Sequence, residues 1–170
     1  MQTNSSPNVI LAIAPGKREL GIAVFVGADL VSASVKTIRR RKSRKLLLRE
    51  IAVILRQLFE EFSITIVVIK AITQYQKLSP DLKRIAERIK LEADQKDLQV
   101  IGITLEQIKS VLCEDQKATE KRAFETLLID YPELKKYWNR PNKWQNDYYA
   151  FLFSAVAVGA VYLKTVSDGD

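Results

Sequence analysis

With 170 residues, the chain has the length of one ordinary domain and buries enough surface on folding to need no covalent staples. Its one cysteine, Cys113, excludes an intramolecular disulfide framework and a cysteine-cluster metal site. The lack of histidine excludes Ser-His and Cys-His nucleophile pairs, histidine-ligated zinc and an imidazole proton shuttle. Cys113 itself reads as a small buried hydrophobe. The net charge is +7, from 27 basic and 20 acidic residues, and its distribution decides what it means.

Residues 1–8 (MQTNSSPN) have neither the basic start nor the apolar stretch of a secretion signal and read as a disordered tail, so a cytoplasmic protein is expected. Residues 9–14 (VILAIA) are continuously apolar, as in a strand covered on both faces. Pro15 and Gly16 punctuate it. Residues 20–26 and 30–38 read as two more strands around the turn Gly27-Ala28-Asp29, which predicts an antiparallel meander.

The segment 36–49 (KTIRRRKSRKLLLR) holds Lys36, Arg39, Arg40, Arg41, Lys42, Arg44, Lys45 and Arg49 and no acid, so the rest of the chain is close to neutral. Concentrated Arg and Lys are the footprint of a polyanion, because neutralised phosphates release counterions. A solvated turn with an exposed helix face, or an anionic membrane surface, would carry the same charges. From Leu47 the pattern turns helical: Leu47, Ile51, Ile54, Leu55, Leu58 and Phe62 recur at spacings of three and four.

Residues 64–69 (ITIVVI) read as a central strand. Ser79-Pro80-Asp81 starts a helix with a capping hydroxyl, a proline at the first position and an acid at the positive end of the dipole. Leu82, Ile85, Ile89 and Ala93 are its buried stripe. Residues 98–104 are a fifth strand, and Thr104 with Gln107 forms a capping box for a helix over 105–113. Thr119 caps another helix through Asp130, limited by Pro132. Residues 133–145 read as a polar, aromatic-bearing connection. The last helix is expected over 146–164. Its apolar run 148–163 falls just under the roughly 17–25 residues of a bilayer span and reads as a core helix, with no membrane partner. Residues 165–170 read as a frayed tail after a single domain over 9–164. The element order predicts an α/β fold: a mixed five-stranded sheet, three antiparallel strands followed by parallel ones, with helices on both faces.

Four stretches in this order resemble RuvC-type Holliday-junction resolvases, which have a ribonuclease H-like fold. LAIAPGKRELGIAVF (11–25) is similar to their first hairpin, with its Asp-Pro-Gly turn. IVVIK (66–70) is similar to their fourth strand, which ends in Glu. Residues 104–121, with KATEK, resemble their helix, loop and Ala-x-Lys segment. NDYYAFLFSAVAVG (146–159) resembles their last helix, with Asp-x-x-Asp-Ala-x-x-x-Ala. The resemblance implies four carboxylates holding two Mg²⁺ ions that activate water against a phosphodiester. Carried over to this chain, those positions are Ala14, Lys70, Asn146 and Tyr149, with Asp147 reached by a shifted register. Mg²⁺ needs hard oxygen ligands, which Ala14 lacks and which the Lys70 ammonium opposes.

The expectation is therefore a catalytically inactive resolvase-like protein without metal or other cofactor, a possible homodimer, that binds branched or duplex nucleic acid. Phosphate contacts are expected from Lys17, Arg18, Arg39, Arg40, Arg41, Lys42, Arg44, Lys45, Lys117 and Lys121. Lys117 and Lys121 read equally well as solvated first-turn residues, and Lys17 and Arg18 as an exposed hairpin turn. Lys70 is expected either to pair with Asp147 or to extend its ammonium to solvent. Two competing readings remain open. One is a Mg²⁺-dependent endonuclease using a rearranged set such as Glu19, Asp147 and Glu125. The other is a protein-interaction scaffold. Tyr137, Trp138, Trp144 and Arg140 in the late connection, and Tyr75 after the fourth strand, either stack on unpaired bases or close the core.

Overall fold

The computed structural model describes residues 6–38, 43–72, 79–115 and 117–168. Three strands open the chain: β1 (Val9–Pro15), β2 (Glu19–Val26) and β3 (Asp29–Thr37). Helix α1 (Arg44–Phe62), β4 (Ile66–Lys70), α2 (Pro80–Gln95) and β5 (Gln99–Ile103) follow. Then come α3 (Leu105–Cys113), α4 (Glu120–Asp130), a short 3-10 helix (Pro132–Tyr137) and α5 (Lys143–Asp168). The sheet order is β3-β2-β1-β4-β5, with β1, β2 and β3 antiparallel and β1, β4 and β5 parallel. This is the expected mixed five-stranded sheet.

Alternation along β1 and β2 divides the interior in two. Ile10, Ala12, Ala14, Ala23 and Phe25 join α3, α4 and α5 on one face. Leu11, Ile13, Leu20, Ile22 and Val24 join α1 and α2 on the other. Between α1 and α2, Glu92 is 2% exposed, and its charge is met by Arg56, whose Nε and Nη2 donate to the two carboxylate oxygens at 2.9 and 3.1 Å.

The capping signals appear as read. Ser79, Thr104 and Thr119 accept from backbone N–H groups three residues on, and Gln107 closes the box on Thr104 at 2.7 Å. The ends of the chain differ from the reading. Asn8, placed in the tail, accepts from the Gly27 N–H at 2.9 Å. Helix α5 begins at Lys143 and continues to Asp168, so residues 165–168 extend the helix rather than fray. Within the helix the Thr165 hydroxyl donates to the Val161 carbonyl at 2.8 Å, and Lys164 pairs with Asp130 at 3.7 Å on the surface. The connection 133–145 is partly ordered as the 3-10 helix, which buries Leu134. Cys113 is half-buried rather than buried.

By length and composition α5 is apolar enough to cross a membrane. In this fold residues 152–161 are buried beneath the sheet and the shorter helices. The contact is close because of Gly21: a Cβ there would collide with the Phe151 carbonyl of α5.

Candidate functional site

The parallel strands β1 and β4 end side by side, and a crevice of about 120 Å³ opens at their C-terminal ends. Such crevices are where open α/β sheets place ligands. Ala14 and Pro15 come from β1, Lys70 from β4, Glu120 from the first turn of α4, and Ala150, Phe151 and Ser154 from α5. Ala14 is 2% exposed and sits opposite Gly21. Lys70 is half-buried, and its Nζ donates to the Ser154 hydroxyl at 3.3 Å and pairs with Glu120 at 3.5 Å.

That pairing replaces the expected one with Asp147. Residues 147 and 154 are two turns apart, roughly 10 Å along the helix axis, and Asp147 is exposed. Asn146 is turned to the preceding loop, where its side chain accepts from the Arg140 N–H at 2.8 Å and donates to the Arg140 carbonyl at 2.9 Å. Tyr149 packs tilted against Tyr137 and edge-on to Tyr148, with ring centroids 4.8 and 5.2 Å apart. The α5 positions that line the crevice are thus Ala150, Phe151 and Ser154, not Asn146 and Tyr149.

The crevice lining is poor in the side-chain oxygens that a divalent cation takes as ligands. Among the described residues, Glu120 is the one carboxylate lining the crevice, and Lys70 pairs with it. Ala14 and Phe151 bring no donor atom, and the Ser154 hydroxyl is turned to an ammonium. The alternative set is not assembled either: Glu19 is half-buried on β2, while Asp147 and Glu125 are exposed on α5 and α4. Among the described residues, no three carboxylate or thiol groups converge.

The exposed cations lie on both sides of the sheet. Lys17 and Arg18 occupy the β1–β2 turn, closed by the Gly16 N–H on the Glu19 carbonyl at 2.8 Å. The Ile38 N–H bonds the Arg18 carbonyl at 2.8 Å, which brings the start of the basic segment to the same rim. Arg44 and Lys45 follow in the first turn of α1, after Ser43 caps it. With Leu48 and with Arg84 and Arg88 of α2 they line a groove of about 450 Å³. Arg44 is partly neutralised by Asp81 at 3.2 Å, and Arg88 by Glu92 at 3.6 Å. Lys117 and Lys121 are exposed before and within the first turn of α4. Arg39, Arg40, Arg41, Lys42 and Tyr75 lie outside the described residues.

The sequence reading missed Glu120, Phe151 and Ser154. It also missed Arg84 and Arg88, whose i,i+4 spacing on α2 was the available signal. Trp138 packs edge-on against Phe124 and Phe153, with centroids 6.5 and 5.2 Å away, whereas Trp144 is 66% exposed. The Arg140 guanidinium bonds the Lys136 carbonyl at 3.3 Å.

Sheet order and helix placement define a RuvC-like, ribonuclease H-like fold. The chain superposes over 95% of its length on 96% of Thermus thermophilus RuvC in complex with a Holliday junction substrate, with a TM-score of 0.76 and 17% identity. A second T. thermophilus RuvC structure matches at 0.67 and 15%, covering 92% of this chain and 96% of that one. The yeast mitochondrial Holliday junction resolvase Ydc2 matches at 0.68 and 10%, covering 95% and 80%. By sequence, no protein family and no curated protein matches the chain. Identities this low establish the fold, and function rests on the site.

Proposed function

We propose that this protein is a RuvC-like nucleic-acid-binding module that holds branched or duplex nucleic acid without hydrolysing it and without a metal cofactor. The observation that carries this reading is the Lys70 ammonium, 3.5 Å from Glu120 and 3.3 Å from Ser154, at the strand end where the resemblance calls for a metal-binding carboxylate. A fixed ammonium supplies positive charge at that point but no Lewis acid to polarise a phosphoryl oxygen and no bound water to ionise. Lys17, Arg18, Arg44, Lys45, Lys117 and Lys121 then serve as phosphate contacts, with Arg39, Arg40, Arg41 and Lys42 continuing the run in sequence. Phosphate contacts carry affinity and no base information, so recognition follows the shape of the nucleic acid.

Charge reversal tests the reading. Lys17→Glu together with Arg18→Glu weakens binding to a four-way DNA junction and lowers the slope of log affinity against log salt by about 1.8, roughly 0.9 for each phosphate that is no longer neutralised. An affinity and a slope unchanged from wild type contradict it.

A further inference from the structure

Beside the crevice lies a larger cavity of about 310 Å³, at the lower end of the roughly 300–1,000 Å³ of small-molecule sites. Buried Phe124 and Phe153 and half-buried Tyr137 and Trp138 line it, so aromatic rings run from the core to the surface. The cavity shares Glu120 and Ala150 with the crevice, so the two adjoin. Lys121, also in its lining, is exposed and places a cation at the mouth.

Aromatic walls, an exposed cation at the mouth and the neighbouring exposed Lys17 and Arg18 of the β1–β2 turn match a planar heterocycle attached to a phosphate. Every nucleobase has a face that stacks on aromatic side chains, whatever its hydrogen-bonding edge. We propose that the cavity receives one unpaired nucleobase from a strand whose phosphates lie on these cations. The inference rests on the nucleic-acid-binding reading and adds to it a preference for distorted or branched sites, where a base leaves the stack at least cost. A free nucleotide offers the same chemistry, and the experiment separates the two sources.

The full chain is titrated by fluorescence anisotropy against a duplex with a single extrahelical adenine and against the same duplex with an abasic site in its place. The extrahelical base is bound about tenfold more tightly, the scale of one base stacked on aromatic side chains. Ala150→Met, which puts a larger side chain into the lining that crevice and cavity share, brings the two affinities together. The comparison of the two duplexes needs no variant, so it decides the matter even if Ala150→Met fails to fold. Adenosine monophosphate is titrated in parallel and followed by Trp138 emission in a Trp144→Phe background. Saturable quenching without any preference between the duplexes overturns the strand as the source and assigns the cavity to free nucleotides. Equal affinities with no quenching overturn the cavity proposal and leave the nucleic-acid-binding reading standing. No binding to either duplex overturns both.

Discussion

Lys70 donates to the Ser154 hydroxyl across 3.3 Å, joining the end of β4 to the buried stretch of α5. With Glu120 at 3.5 Å, one amine occupies the point on which the crevice converges. Lys70→Glu would place two carboxylates there with no cation between them. The expected result is a loss of stability on the order of 1 kcal/mol, since Glu120 is partly exposed. It should also bring a new response to Mn²⁺. At about ten times a millimolar dissociation constant, binding returns about 1.4 kcal/mol, or roughly 3–6 °C in Tm. Thermal unfolding with and without Mn²⁺ checks this, and a wild-type Tm that rises as much as the variant's contradicts it.

Gly21 and Phe151 fix how closely α5 approaches the first hairpin. A Cβ at residue 21 meets backbone, the Phe151 carbonyl, so the helix itself has to move. Gly21→Ala is expected to cost about 3 kcal/mol and to lower Tm by roughly 6–12 °C. Gly102→Ala is the control, because the nearest atom to its new Cβ is the Ala71 Cβ at an ordinary 4.0 Å. Equal stability of the two variants in urea unfolding would refute the close approach.

Tyr131 packs edge-on to Phe25 with centroids 6.0 Å apart. Burial pushes its phenol up from the usual value near 10, and the carboxylates of Asp130, Glu133 and Asp29 push in the same direction. The folded state therefore holds the phenolic proton more tightly than the unfolded chain does. The stability this contributes is fully present below about pH 10 and is lost as pH rises through the folded-state value. Tyr131→Phe keeps the ring packing and removes the titration. Urea midpoints measured between about pH 9 and 11 should fall less steeply in the variant, and parallel slopes would exclude the effect.

Local signals in the sequence located most elements. Ser79 with Pro80, Thr104 with Gln107, and Thr119 each mark a helix start, because a capping side chain satisfies backbone N–H groups within three residues. The apolar runs of β1 and β2 mark strands because both of their faces are covered. The register of α5 was not legible for the same reason it is central. Its middle is apolar all round, so no polar stripe marks the side facing the crevice, and the alignment settled on Asn146 and Tyr149, upstream of Phe151 and Ser154. The partner of Lys70 was equally hidden: Glu120 is 50 residues away, and only the tertiary placement of the α4 N-terminus brings it near.

The central claim is retention of nucleic acid without cleavage, and its most direct test is a labelled four-way DNA junction incubated with purified protein in EDTA, in Mg²⁺ and in Mn²⁺. Native gels score binding and denaturing gels score strand breaks. A complex that forms under all three conditions with every strand intact is the predicted result. Metal-dependent nicking of the junction, abolished by Asp147→Asn or Glu120→Gln, would contradict it.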